Sequence, residues 1–159
     1  MVNLRLIAVG RLKERWLADG CAEYQKRLRP YCKFQLIELE EARLPEAPSA
    51  AQIAAALRAE GRRILEKAQG TPLVALCIEG TPLSSGALAA YLSRAAVEGR
   101  STVSFAIGSS YGLDPAVKEA AALRLSLSQM TFPHQLARLL LCEQFYRACT
   151  IEAGGKYHK

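Results

Sequence analysis

The sequence predicts an open α/β fold, in which a mostly parallel sheet carries helices on both faces. Three observations support this prediction. Short segments with strand patterns recur along the whole chain, and a segment with helical spacing separates each from the next. The strand pattern at residues 73–78 is continuously apolar, which is typical of a central parallel strand buried on both faces. With 159 residues, 50% of them hydrophobic, the chain is expected to form a single domain over residues 1–159.

Five segments have the patterns of strands. Alternation of apolar and polar residues indicates a strand with one buried face, and an unbroken apolar run indicates a central strand. Gly10 and Gly108 each follow such a segment directly and are expected to end it. The predicted strands cover residues 4–9, 34–39, 73–78, 102–107 and 123–128.

Helices are predicted between and after these strands, from their apolar spacing and their terminal residues. Pro30 ends the first helix, and Ser49 and Gly70 are suitable start and stop residues for the second. Asp114 followed by Pro115 combines an N-cap with a proline at the first helical position, so a helix begins there. The other predicted helices cover residues 13–28, 49–69, 84–97 and 134–149.

The predicted topology selects three loops as candidate ligand-binding segments. In open α/β sheets, ligands bind beyond the carboxyl ends of the strands. The loops that follow the last three predicted strands are Glu79–Pro82, Gly108–Leu113 and Gln129–Pro133. These are therefore the expected walls of a binding site.

Composition excludes several classes of protein. No apolar run approaches the ~20 residues of a membrane span, and residues 1–9 are too short and, with Arg5, too charged for a signal peptide. A cytoplasmic protein is therefore expected. The five cysteines include no C-x-x-C pair, which fits neither a disulfide framework nor a zinc site. They are expected to be small buried hydrophobic residues, and no metal is expected.

The positive charge is concentrated near the amino end. The net charge is +6, and residues 1–33 hold eight Lys and Arg against three Asp and Glu. Such a concentration suggests a polyanionic partner, most often nucleic acid. Charge that serves solubility alone is the other interpretation.

The segment Gly108–Gly112 spells G-x-S-x-G, the pattern of the nucleophile elbow in serine hydrolases. An elbow needs its serine on a turn that leads directly into a helix. Here the helix start is signalled at Asp114, several residues beyond Ser110. A loop opened by glycine for backbone contact with a ligand therefore fits the segment better.

Residues 136–149 are apolar on most faces of the predicted last helix, so two sides of it need cover. A second subunit is the simplest cover in a small domain. Glu143 and Arg147 are spaced for a salt bridge within the helix. The tail, residues 154–159, is expected either to fray or to close on single-stranded RNA, with Tyr157 stacking on a base.

Several strings in the carboxyl half resemble one family. They are the sequence from Ser126 to His134 (SLSQMTFPH), the sequence from Glu143 to Ala148 (EQFYRA) and the terminal Tyr157-His158-Lys159. Together with the glycines of the Gly108–Gly112 segment, they resemble the large-subunit ribosomal RNA pseudouridine N3-methyltransferases of the knotted SPOUT superfamily. The resemblance extends to the amino end and covers the full length.

The resemblance implies a cytoplasmic homodimer with a deep C-terminal trefoil knot. It implies that S-adenosyl-L-methionine is used to methylate N3 of a pseudouridine in rRNA of the large ribosomal subunit. Ser109 stands where many relatives have a second glycine, so its side chain could narrow the pocket or add a hydrogen bond. The implied cofactor-binding residues are Leu76, Gly108, Ser109, Leu127, Ser128, Gln129, Met130, Thr131 and Phe132.

Methylation of an imide nitrogen requires that its proton be lost. His158 or Glu143 could accept that proton, and a cation such as Arg138 or a tail lysine would favour the anionic base. Tyr157 would stack on the target base or a neighbour. A non-catalytic basic RNA-binding module is the alternative function, and a serine hydrolase is the third. The residues expected to contact RNA are Arg11, Lys13, Arg15, Lys156 and Lys159, with Lys26, Arg27 and Arg29 beside them.

Overall fold

The computed structural model describes residues 1–159 and contains five strands and five helices. The strands are β1 (Asn3–Val9), β2 (Phe34–Leu39), β3 (Leu73–Pro82), β4 (Thr102–Ile107) and β5 (Leu123–Ser126). The helices are α1 (Arg15–Leu28), α2 (Ala50–Ala68), α3 (Ser85–Val97), α4 (Pro115–Ala120) and α5 (His134–Glu152). The strands form one sheet in the order β2-β1-β4-β3-β5, and every neighbouring pair is parallel.

The predicted fold class is confirmed, because helices cover both faces of this sheet. Alternate side chains of β1 enter two separate cores: Leu4 and Leu6 enter one, and Ile7 and Val9 enter the other. The larger core lies under α1, α3 and α5, and the smaller one lies under α2 and α4. The trefoil knot implied by the resemblance stays a prediction. None of the helices combines the length and apolar composition needed to cross a membrane.

Element ends differ from the prediction where side chains bond to nearby backbone. Strand β5 stops at Ser126, whose hydroxyl donates to the carbonyl of Ser128 at 2.9 Å and turns the chain. Strand β3 continues to Pro82, with an irregularity in its pairing to β5 between Leu76 and Thr81. Helix α5 extends three residues beyond its predicted end, to Glu152.

Helix α5 is covered within the chain, which corrects the argument that its second apolar side needs another subunit. It packs against α1 on one side and α3 on the other. Leu141, Phe145 and Ala148 are fully buried in the larger core. Of the five cysteines, all are free, and three of them (Cys21, Cys142 and Cys149) are buried, as expected for small hydrophobic residues.

Arg138 lies in the middle of this interface and is only 2% exposed. Its Nη1 donates to Glu38 Oε2 at 2.6 Å, and its Nη2 donates to the carbonyl of Gly10 at 2.9 Å. The guanidinium group therefore ties α5 to the carboxyl ends of β1 and β2. The prediction that Arg138 presents its charge to a substrate is wrong, because burial and these two bonds commit that charge to the fold.

Replacing Arg138 with Met should lower the free energy of unfolding by about 2–4 kcal/mol. Methionine is similar in length to arginine but donates no hydrogen bond, so the Gly10 carbonyl and the Glu38 carboxylate lose their donor. Arg5→Met is the control, because Arg5 also donates two hydrogen bonds, to Gln35 and to the carbonyl of Lys67, but is only partly buried and should cost about 1 kcal/mol. Urea unfolding at neutral pH measures both, and equal losses would contradict the assignment of Arg138 as the tie.

Candidate functional site

A cleft of about 850 Å³ opens at the carboxyl ends of β3, β4 and β5. All three loops selected from the sequence contribute to it. The first contributes only Glu79, because β3 continues through Gly80, Thr81 and Pro82 as strand. The lining residues are Leu76–Glu79, Ile107–Leu113, Lys118, Ser126–Ser128, Met130–His134 and Ala137.

Gly108 and Gly112 fold the second loop tightly against itself. A Cβ on Gly108 would lie 2.1 Å from the carbonyl oxygen of Gly112, so no side chain fits there. Gly112 has a φ of +84°, and its N–H donates to the carbonyl of Ser109 at 2.9 Å. Ser109 is buried, and its hydroxyl accepts from the N–H of Tyr111 at 3.4 Å. At Gly108 and Gly112 the turn thus presents backbone to the cleft, and Tyr111 is its one large side chain there.

The third loop is held by serine side chains. The hydroxyl of Ser128 accepts from the N–H of Met130 at 3.0 Å, which continues the turn begun at Ser126. Met130 and Phe132 then project at the rim, where both are exposed. Of the nine residues that the resemblance implies for cofactor binding, eight line the cleft and Gln129 does not.

The cleft contains little charge. Glu79 Oε1 and Lys118 Nζ are 2.5 Å apart, and they are the two Asp, Glu, Lys or Arg side chains in the lining. Lys118 lowers the pKa of Glu79, and burial lowers the pKa of His134, so the His134 ring is neutral at physiological pH. Sequence analysis missed Lys118, because it marked where α4 begins but not which of its side chains face the sheet edge.

A second group of functional candidates lies near the other end of α5 and is called the tail cluster: Glu143, Arg147, Tyr157 and His158. Arg147 donates to Glu143 Oε1 from Nη2 at 2.6 Å and from Nε at 2.9 Å. The Tyr157 hydroxyl donates to the same oxygen at 3.0 Å. Arg147 Nη1 lies 3.3 Å from Nδ1 of His158. The predicted Glu143–Arg147 salt bridge is therefore present, and the tail is bound to it.

The bonds within the tail cluster define what each group can do. Gln144 Nε2 donates to Glu143 Oε2 at 2.7 Å, so Glu143 accepts four hydrogen bonds, three of them at Oε1. Glu143 thus holds Gln144, Arg147 and Tyr157 in position. Burial raises the pKa of Tyr157 well above its usual value, and the neighbouring Tyr24 and the hydrogen bond to Glu143 add to this, so the phenol stays protonated.

Aromatic packing holds the tail in place. The ring of Tyr157 lies 4.7 Å from that of Tyr146 in an edge-on arrangement, and Arg147 lies 4.7 Å above its centre. Tyr24 of α1 packs on Tyr146 in turn. Of the two expectations for the tail, fraying is therefore wrong for Tyr157, and closure on single-stranded RNA stays a prediction. Sequence analysis missed Tyr24, Tyr146 and Arg147 as its supports, since their contacts depend on how α1 lies beside α5.

The cleft and the tail cluster share no residue. His134 and Ala137 of α5 line the cleft, and no member of the tail cluster does. The six positions from Ala137 to Glu143 correspond to roughly 9 Å along a helix axis, and the 13 positions from His134 to Arg147 correspond to roughly 20 Å. The cleft and the tail cluster are therefore two separate groups of candidate residues along one helix.

The residues expected to contact RNA are exposed at the surface. Arg11, Lys13 and Arg15 surround the start of α1, where the N–H of Lys13 donates to Gln135 Oε1 at 3.0 Å. This places the basic segment beside the first turn of α5 and hence near one end of the cleft. Lys156 and Lys159 are exposed on the tail.

The serine hydrolase interpretation is not supported by the geometry. Ser110 is exposed on the Gly108–Gly112 turn, and α4 begins only at Pro115. Asp114, which a triad would need for its histidine, instead caps α4 by accepting from the N–H of Ala116 at 3.1 Å. No group of three or more His, Cys, Asp and Glu side chains is arranged to hold a metal ion.

Gly108→Ala should lower the free energy of unfolding by more than about 2 kcal/mol, because the new methyl group overlaps the Gly112 carbonyl. Gly112→Ala is a matched control in the same turn. The added methyl group would have no atom within 4 Å, so the free energy of unfolding should fall by only about 1 kcal/mol, because of the positive φ. Denaturant unfolding compares them, and a loss for Gly112→Ala that equals or exceeds that for Gly108→Ala would contradict the steric argument.

Comparison with known proteins agrees with this geometry. The ribosomal RNA large subunit methyltransferase H of Pelotomaculum thermopropionicum is 48% identical over 159 residues, covering 99% of both chains. The protein of the same name from Streptococcus thermophilus strain CNRZ 1066 is 46% identical, covering 99% of this chain and all of that one. A probable methyltransferase from Bordetella pertussis has a similar fold, with a TM-score of 0.58 at 16% identity over 93% of this chain and 96% of that one. The family described as Predicted SPOUT methyltransferase matches residues 2–158. The chain belongs to the SPOUT methyltransferase family.

Proposed function

We propose that this chain transfers the methyl group of S-adenosyl-L-methionine to N3 of a pseudouridine in rRNA of the large ribosomal subunit. The observation that carries the proposal is the cleft, which is lined by eight of the nine expected cofactor-binding residues. The chain around it is nearly half identical, over its full length, to relatives named as methyltransferases of large-subunit rRNA.

The cleft suits a nucleoside with a small charged extension. Its volume of about 850 Å³ lies in the range of small-molecule sites. Leu76, Leu127 and Phe132 supply apolar surface for a purine ring, and Gly108 leaves the backbone open beside it. S-adenosylmethionine would supply the electrophilic methyl group, and the protein's task is to orient the base toward it.

The acceptor nitrogen must lose its proton, and the tail cluster contains the best acceptor. Of the two candidates, Glu143 already holds Gln144, Arg147 and Tyr157 in place, so His158 is the proposed base. Its Nδ1 lies 3.3 Å from Nη1 of Arg147, a donor, so Nδ1 is the acceptor in this contact. To accept a proton, the ring therefore has to turn away from Arg147. Lys156 and Lys159 would favour the anionic imide and contact phosphates.

We also propose that the working enzyme is a homodimer with composite sites. The tail cluster of one copy would complete the cleft of its partner, since the two are separated within a chain. Tyr111, Met130 and Phe132 leave apolar surface exposed around the cleft, where a partner and the RNA would cover it. Both substrates are found in the cytoplasm, which is the proposed location.

A heterodimer of two inactive chains should be active. One chain would carry Leu127→Arg, which fills the cleft with a cation that repels a sulfonium. The other would end after Gly155 and so lack Tyr157 and His158. Composite sites predict about half the wild-type methyl transfer for a heterodimer purified with two tags, because one of its two sites is intact.

The controls separate the parts of this proposal. Each homodimer should be inactive on large-subunit rRNA, and the truncated one should bind S-adenosylmethionine as tightly as the wild type in calorimetry. A heterodimer as inactive as both homodimers would refute composite sites. A wild-type protein that transfers no methyl group to naked rRNA, to the large subunit or to the assembled ribosome would refute the function.

Reversing the charge of Arg11 and Arg15 to Glu should weaken RNA binding and reduce its salt dependence. The slope of log K against log salt is negative, and each lost phosphate contact makes it shallower by about 0.7–0.9. Arg58→Glu with Arg62→Glu is a matched control, with the same change in net charge on exposed positions of α2, across the sheet. Equal effects of the two pairs in a filter-binding titration would assign the binding to net charge alone.

A further inference from the structure

We infer that Glu79 and Lys118 form a two-charge subsite for the amino-acid end of the methyl donor. Lys118 would bind its α-carboxylate, and Glu79 would bind its α-ammonium group. The inference rests on the proposed function and adds to it two residues that bind the donor.

The two side chains are placed for such a role. Glu79 comes from β3 and Lys118 from α4, so the pair spans two walls of the cleft. Their charged atoms are 2.5 Å apart, with Lys118 26% exposed and Glu79 50% exposed at the side chain. The Nε of Arg124 donates to the carbonyl of Lys118 at 3.0 Å, which fixes the end of α4 that carries it. Both side chains therefore line the cleft, Lys118 from a helix end fixed by this bond and Glu79 from the stretch of β3 where its pairing with β5 is irregular.

The charges of the pair match those of an α-amino acid. The remaining lining is uncharged at physiological pH, so the cleft contains one cation and one anion in direct contact. The phosphate of a phosphorylated nucleoside would be repelled by the carboxylate of Glu79. A zwitterion can instead replace both partners of the pair at once. A partly exposed ion pair contributes little free energy in the free protein, so replacing it with contacts to a ligand costs little binding free energy.

Four related compounds identify which charge each residue binds. They are S-adenosylmethionine, S-adenosylhomocysteine, decarboxylated S-adenosylmethionine and 5′-methylthioadenosine, and calorimetry measures the affinity of each. Lys118→Met should weaken binding of S-adenosylmethionine and S-adenosylhomocysteine, which carry the α-carboxylate, about tenfold or more. It should not weaken binding of decarboxylated S-adenosylmethionine. Glu79→Gln should weaken all three compounds that carry the ammonium group, and should leave 5′-methylthioadenosine unchanged.

A charge-swapped variant separates recognition from support of the cleft wall. Glu79→Lys combined with Lys118→Glu keeps an ion pair between β3 and α4 but reverses its direction. It should retain the wild-type melting temperature and the affinity for 5′-methylthioadenosine, while losing affinity for S-adenosylmethionine. The inference would be overturned if this variant bound S-adenosylmethionine with wild-type affinity. It would also be overturned if the single variants lost affinity equally for all four compounds. A wild-type protein that binds none of the four would overturn the proposed function instead.

Discussion

The shared direction of the five strands is the constraint on which the site depends. Both faces of the sheet are buried, so polar loops can gather only at its ends. Parallel pairing then brings all the carboxyl ends to one edge. Because β3 lies between β4 and β5 in the sheet, the segments that follow these three strands meet and enclose one cleft. The crowding at this edge explains why Gly108 has no room for a side chain.

Helix α5 connects this edge to the second functional region. Its first turn lines the cleft, and its second half carries Glu143 and Arg147, which hold the tail. Arg138, between them, anchors the helix to β1 and β2. Since the helix is anchored along its length, its two functional ends stay apart. The separation of the cleft from the tail cluster is therefore a property of the fold rather than of a mobile loop.

Local pattern was sufficient for much of this structure. Strand β4 occupies the predicted residues, and the sheet-edge rule chose loops that line the cleft. Patterns did not reveal partners that are distant in sequence. Arg138 looks like an available cation until Glu38, 100 positions away, is placed beside it. The docking of Tyr157 and the pairing of Lys118 with Glu79 depend in the same way on how packed elements align.

The position of α5 in the larger core also bears on how the protein is made. Its residues Leu141, Cys142 and Phe145 are fully buried against the sheet, yet they follow all five strands in the chain. Until α5 has been synthesised and has packed in place, one face of the sheet has no complete cover. The nascent chain therefore exposes an apolar surface for as long as this helix is missing.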